Sequence, residues 1–362
     1  MTTAPKFRAD HVGSLLRPPA LLAARRRHDE GTISQAELRT LEDEAIAAAV
    51  KREEETGIDV VTDGEFRRRD FRTGFVQAVD GMEMKSWEMP WHSGDGVTRL
   101  RSNAFIVTGR LRQRRRLAAG EAAYLTGLAT APIKVTLIAP GFLVDKFWKD
   151  GVTDQVYSSR EELAAEVAAI TRAEIQALIA EGVSYIQLDN PGYGSFVGSH
   201  AGAQADFERM VDTDAAAVAD IERADGVTIG LHICRGNQAS MWMGEGDYQP
   251  VAERLFATVA VDRFLLEYDD ERAGDFGPLR FMPESKNVVL GLVTSKSPVL
   301  ESPVDLRRRV DEAAKLIDLD RLALSPQCGF ASVAEGGNRL TEDEQFAKLR
   351  LVADTARAIW EN

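Results

Sequence analysis

Residues Glu161–Gly192 read EELAAEVAAITRAEIQALIAEGVSYIQLDNPG. Over Glu161–Ala180 the apolar residues recur at spacings of three and four, the pattern of a helix with one buried face. Tyr185–Leu188 is a short apolar run, as expected of a strand buried on both faces. It closes on the polar Asp189-Asn190-Pro191. Working outward, the same unit recurs. Strands are expected at Asp10–Leu16, Asp59–Asp63, Ile133–Ile138, Thr228–His232, Phe264–Glu267, Val288–Val293 and Leu322–Leu324. Helices are expected at Glu37–Glu55, Asp206–Ala224, Pro250–Ala257, Pro303–Leu316 and Glu342–Trp360. Strands alternating with amphipathic helices imply a parallel sheet. Eight such units imply a closed (β/α)8 TIM barrel, a single α/β catalytic domain over residues 1–362.

Arg67–Thr130 breaks the pattern. It holds Trp87, Trp91, several glycines and the strand-like Phe105–Thr108. We read it as an insertion after the second strand, containing a β-hairpin that lies over one end of the barrel. Its Arg112–Arg116 run reads as a solvated hairpin tip, with the holding of an anionic substrate tail as the alternative.

The totals narrow the function. The formal net charge is −13 and the pI about 5.0, which disfavours nucleic acid as a partner because phosphate binding needs clustered positive charge. No apolar run approaches the roughly 20 residues that span a bilayer, and Met1–Pro5 has no apolar signal core. The expected location is the cytoplasm. There the two cysteines, Cys234 and Cys328, stay reduced and serve as ligands, nucleophiles or core residues.

Barrel chemistry collects at the C-terminal ends of strands. Polar residues stand there in nearly every unit: Gly13-Ser14, Asp63-Gly64-Glu65, Asp189-Asn190, His232-Ile233-Cys234, Glu267-Tyr268-Asp269, Ser295-Lys296-Ser297 and Gln327-Cys328-Gly329. His232 and Cys234 are two apart on one strand and so face one side. With Glu267 and Cys328 they form an N,S,O,S donor set that suits zinc better than magnesium, calcium or copper(II). A lone His-x-Cys is weak, and the residues by themselves leave open both a zinc site and a buried cluster without metal. Four protein ligands also normally close a zinc site. Catalysis then requires one, Glu267 as the hardest base, to yield to substrate.

These motifs resemble those of cobalamin-independent methionine synthase, and the whole chain is similar to the short, single-barrel relatives of that enzyme's catalytic half. The resemblance runs from His11-Val12-Gly13-Ser14 through Val61-Thr62-Asp63-Gly64-Glu65-Phe66, Tyr185-Ile186-Gln187-Leu188-Asp189, Leu231-His232-Ile233-Cys234-Arg235-Gly236-Asn237 and Phe264-Leu265-Leu266-Glu267-Tyr268 to Gln327-Cys328-Gly329-Phe330. It leaves no room for the second, N-terminal barrel of the full-size enzyme. It implies that zinc binds a substrate thiol, homocysteine in the family, and lowers its pKa for attack on the methyl group of 5-methyltetrahydrofolate. It implies that Gly13 and Ser14 help hold the substrate carboxylate and that Asp189 binds the amino group.

Two departures follow from the same resemblance. A second carboxylate for the amino group is expected shortly after the second strand, and Thr73 stands at the position aligned with it. A proton-carrying histidine is expected before the Ser-Pro after the seventh strand, where this chain has Lys296, which reads as a proton donor if burial or nearby cations depress its pKa, as a holder of a substrate carboxylate or phosphate, or as a solvent-facing lysine. His11, beside Gly13-Ser14, reads as a structural histidine, with proton transfer as the alternative. Tyr193 and His200 are candidates to line the pocket, and Trp87, Trp91 and Trp148 to stack a flat ring. Without an N-terminal barrel, a simpler donor or a partner protein carrying the methyl group is an alternative to folate. Two rivals remain: a zinc-dependent alkyl transferase or carbon–sulfur lyase acting on another thiol, of the epoxide-to-coenzyme M type, and a zinc- or thiol-binding protein without catalysis.

Overall fold

The computed structural model describes residues 7–197, 204–223, 225–335 and 337–361, apart from the side chains of Trp87, Arg101 and Ser102. A long antiparallel hairpin, β1 (Val79–Ser93) and β2 (Gly96–Gln113), comes first. Six parallel strands follow in sequence order: β3 (Lys134–Ile138), β4 (Tyr185–Asp189), β5 (Thr228–Ile233), β6 (Arg263–Glu267), β7 (Asn287–Val293) and β8 (Leu322–Pro326). Their residues are almost all buried, as both faces of a barrel wall require.

The two expected N-terminal strands are present as short parallel bridges, Ala9 with Leu324 and Val61 with Ile133. Backbone hydrogen bonds carry the ring across them. Asp10 N donates to Leu324 O at 2.9 Å, Asp59 N to Ala9 O at 3.0 Å, and Lys134 N to Val61 O at 2.9 Å. The first pairing segment therefore lies at Arg8–Asp10, ahead of the expected Asp10–Leu16. Pairing stops because the chain turns at Gly13, whose φ of +132° suits glycine. A Cβ there would also lie 2.8 Å from the Thr136 methyl.

Inside the barrel, Val12, Leu265, Val289 and Ala323 form a small apolar cluster. Below them sits a charged layer. The Lys134 ammonium lies between Asp10 and the Gln187 amide oxygen, and the Tyr185 hydroxyl donates to Asp10 at 2.9 Å. Charges this deep persist only when paired and hydrogen-bonded. The larger apolar core lies between the sheet and the helices.

Helices Gln35–Thr56, Arg160–Ala180, Gln249–Thr258 and Glu342–Trp360 fall within two residues of expectation, and Ser34, Ser159 and Thr341 accept from the first turns of three of them. Two end early. Gln204–Val218 falls short of Ala224, and Pro303–Ala313 short of Leu316. Pro19–Asp29, Thr73–Ala78, Ala119–Leu128 and Pro140–Phe147 are helices that the periodicity did not disclose. No helix among the described residues is long and apolar enough to cross a membrane.

The insertion is a hairpin, and its register corrects one reading. Val79 pairs with Gln113, and Ser93 with Gly96. Arg112–Arg116 thus stands at the base, not the tip, because β2 extends well beyond Phe105–Thr108. Arg112 and Arg114 pair with Asp80, while Arg116 pairs with the buried Glu174 and with Glu181. Glu174 also accepts from the backbone of Leu117 and Ala118 at 3.0 Å, fixing the chain as it leaves the hairpin. These arginines are spent on carboxylates. At the other end, His92 pairs with Trp242 through N–H···O bonds of 2.7 and 3.0 Å, which docks the tip on the loop after β5.

Candidate metal centre and substrate pocket

Strand parity assembles the centre. His232 lies in β5, and Cys234, two residues on, faces the same side just past its end. Glu267 is the last residue of β6, and Cys328 follows β8 by two residues. One donor atom from each lies within 4.8 Å of every other, and all four residues are buried. The two sulfurs are 3.2 Å apart.

The hydrogen bonds around the four leave lone pairs pointing at a common centre. His232 Nδ1 is 3.3 Å from Leu265 O, and its Nε2 is buried without a hydrogen-bond partner. With the proton on Nδ1, Nε2 is free to act as a ligand. Glu267 Oε1 accepts from Arg235 N at 2.7 Å, while Oε2 has no hydrogen-bond partner. Cys234 Sγ accepts from Gly236 N at 3.2 Å. Buried orphan acceptors cost free energy unless something satisfies them. Two orphans beside two sulfurs fit a metal cation, and the donor set fits zinc.

The local charges agree. Burial pushes the Glu267 carboxyl up to about 7, and the neighbouring Cys328 adds to this. The hydrogen bond from Cys234 holds Cys328 well below the usual thiol range against the opposing effect of burial, and His232 adds to the lowering. Lys296 and Arg272 partly offset the charge on Glu267 without outweighing its burial.

Beside the centre opens a cavity of about 170 Å³. Its inner wall carries Ser14, Glu65 and Asp189 next to His232, Cys234 and Cys328, and its outer wall carries Phe71, Phe142, Met89 and Trp91. Asp189 Oδ1 accepts from Gln187 Nε2 at 2.8 Å, and that amide also donates to Val12 O. Burial pushes the Asp189 carboxyl up to about 7, with His232 opposing the rise and Glu65 adding to it. Glu65 Oε1 accepts from the Thr136 hydroxyl at 2.9 Å, and its Oε2 is buried without a hydrogen-bond partner.

The chain matches the family model for the cobalamin-independent synthase catalytic domain over residues 7–358. It belongs to that family. Its similarity to the Bacillus subtilis (strain 168) protein YxjH is 39% identity, covering 98% of this chain and 95% of that protein. The methionine synthase of Thermococcus kodakarensis is 25% identical, with 88% and 85% covered. A solved Listeria monocytogenes chain, assigned as a vitamin-B12 independent methionine synthase, superposes with a TM-score of 0.78 at 30% identity, and 99% of each chain is covered.

Within this synthase domain the other expected site residues take distinct places. Ser14 lines the cavity, and its carbonyl accepts from Phe330 N at 2.8 Å. A side chain at position 329 would put its Cβ 2.0 Å from the Ser14 hydroxyl, so anything but glycine beside Cys328 would push that hydroxyl out of its present place. Gly13 stands behind Ser14, its carbonyl accepting from the Thr62 hydroxyl at 2.7 Å. Lys296 is buried behind the Cys234–Asn237 loop, its ammonium 3.3 Å from Gly236 O and 3.4 Å from Asn237 Oδ1. His11 points away from the cavity, with Nε2 3.1 Å from the buried Glu53. Thr73 is spent on local structure, its hydroxyl accepting from the backbone N of Arg69 and Asp70. Tyr193 donates to Asp214 at 2.8 Å and does not line the cavity. Trp148 donates to Asp150 at 2.7 Å. Trp91 reaches the cavity, whereas His200 and the Trp87 side chain lie outside the described residues.

The pocket residue that sequence reasoning missed is Glu65. It closes the second strand in Asp63-Gly64-Glu65, whereas the family resemblance points to position 73 for the second carboxylate. Its φ of +58°, rare for a residue with a side chain, turns the carboxylate back over the barrel mouth. The available signal was its place directly after a glycine at a strand end.

Proposed function

We propose that this chain transfers a methyl group to the sulfur of a thiol amino acid, with homocysteine as acceptor and methionine as product, and that His232, Cys234, Glu267 and Cys328 hold the zinc ion this requires. The observation that carries the reading is the placement of the orphan acceptors of this cluster beside two buried carboxylates in one cavity. Zinc bound there supplies Lewis acidity that keeps a substrate thiol as thiolate near neutral pH.

The protein's own groups orient the acceptor. Asp189 and Glu65 both face the cavity and suit an ammonium group, which would make up for the carboxylate missing at Thr73. Ser14, on the same wall, suits the substrate carboxylate. Two carboxylates in the cavity also favour an amino thiol over a thiol carrying a sulfonate, as in the epoxide-to-coenzyme M reading, because buried like charges repel. Lys296, close behind the acidic cluster, offsets its negative charge and is the candidate proton source for the leaving group. His11, turned to Glu53, is a structural residue in this reading. The apolar outer wall accepts the methyl donor, a methylated folate such as 5-methyltetrahydrofolate or a carrier protein presenting the methyl group.

The test is metal content under reducing conditions together with methyl transfer to L-homocysteine. Wild type is expected to hold about one zinc per chain. Cys328→Ser is expected to lose the metal and at least about a thousandfold in activity, because a zinc-dependent nucleophile has no substitute. A wild-type chain that takes up no zinc would sink the proposal.

A further inference from the structure

Behind the metal cluster, an unpartnered carboxylate oxygen of Glu267 faces an arginine held by Asp269 and Asp270. Arg272 lies in the short turn Glu271–Ala273 that follows β6, and its side chain is 7% exposed. Its Nη2 is 2.8 Å from Asp269 Oδ1 and 3.9 Å from Glu267 Oε2. Glu267 Oε2 has no hydrogen-bond partner, and neither has the buried Nη1 of Arg272. A carboxylate movement of roughly 1 Å would turn the 3.9 Å separation into a hydrogen bond of normal length. The guanidinium cannot easily move instead. Its Cζ lies 4.7 Å from the ring centre of Trp242, whose backbone is tied to His92 of the hairpin, and Asp269 holds its other side.

We propose that Arg272 is a positioning residue for Glu267. It draws the free carboxylate oxygen outward and so sets how readily Glu267 yields its place in the metal site to a substrate thiol. The inference rests on the zinc reading above and goes beyond it. A fixed arginine near a ligand carboxylate can do one of two things. As a plain support it would strengthen metal binding, since partners behind a ligand usually raise metal affinity. As a receiver it would compete with the metal for the carboxylate and favour the state in which the thiol is bound. The 3.9 Å gap points to the receiver, because a support would already be hydrogen-bonded. The two roles predict opposite changes in metal affinity.

The experiment uses the full chain with Arg272→Leu and with Arg272→Lys, which keeps the charge but loses the planar fork. Zinc affinity is measured without thiol by competition with a chelator. Thiol affinity is read from the charge-transfer band of the cobalt-substituted protein, titrated with L-homocysteine and with 2-mercaptoethanol. For Arg272→Leu, thiol affinity is expected to fall about tenfold while zinc affinity stays level or rises, with Arg272→Lys between Arg272→Leu and wild type. Zinc affinity that falls in either variant, or thiol affinity unchanged in both, would overturn the positioning role while leaving the zinc reading intact. A wild type that binds no metal, or gives no thiol-dependent band, overturns the zinc reading and this inference together.

Discussion

At the inner end of the pocket, His232, Cys234, Glu267 and Cys328 stand on or just beyond β5, β6 and β8, and every one is buried. At the outer wall, Met89, Trp91 and Ala104 stand on a hairpin whose exposed face carries Met84 and Val97. The inner residues are polar and are placed by the period of a strand. The outer ones are mostly apolar and are placed by a tertiary contact, the His92–Trp242 bridge. A rigid ring fixes reactive atoms, and an added flap fixes shape. Polar reactive groups and pocket shape in this barrel therefore rest on different kinds of structure, and the two respond to different perturbations.

The largest effect should appear in the barrel-side scaffold as a pH dependence of stability. Asp214 accepts from Gly141 N, the Asn190 amide and Tyr193 OH, tying the helix Gln204–Val218 to the start of the helix Pro140–Phe147 and to the turn after β4. Burial raises its carboxyl from an ordinary 3.8 to about 6. Below about pH 4 the folded and unfolded chains both hold this proton. Between about 4 and 6 the folded state holds more protons, so stability contributed here falls as pH rises, by about 3 kcal/mol across the window. Denaturant melts of wild type and Asp214→Asn at pH 4, 5 and 6 should show the slope flattened in the variant, and an identical slope would refute this assignment.

Next in size is Asp189→Asn. If the inner wall binds an ammonium group, KM for L-homocysteine should rise roughly thirtyfold, about 2 kcal/mol, with zinc content unchanged. Loss of zinc in this variant would show that the inner wall cannot be divided into metal and substrate parts.

The smallest effect sharpens the contrast from the other side. Trp91→Ala should leave zinc and homocysteine affinity alone and lower turnover with the methyl donor about tenfold, the scale of one lost aromatic contact. If homocysteine affinity falls as well, the hairpin shapes both ends of the pocket and the division fails.

The barrel was legible because alternation of short apolar runs with amphipathic helices depends on local periodicity alone. Strands β3 to β8 matched to within a few residues. The convergence of His232, Cys234, Glu267 and Cys328 was legible for the same reason: parity on one strand and position at strand ends need no knowledge of tertiary packing. Glu65 was not, because its direction depends on an unusual backbone angle that spacing does not reveal. Lys296 was placed near the site, but whether it faced solvent depended on the fold of the Cys234–Asn237 loop. Trp91 could not be distinguished from Trp148, since only the docking of the hairpin decides which indole meets the cavity. Helices such as Pro140–Phe147 escaped because they are short and, being buried nearly all round, carry little polar periodicity.

The ring closes where Ala9 meets Leu324, residues separated by almost the whole length of the chain. On a ribosome this contact cannot form until β8 has emerged. Cys328 emerges with the same strand, four residues later. Until that moment the nascent chain has both an open seam and a three-ligand cluster. Closure of the ring and completion of the four-residue cluster thus coincide in time.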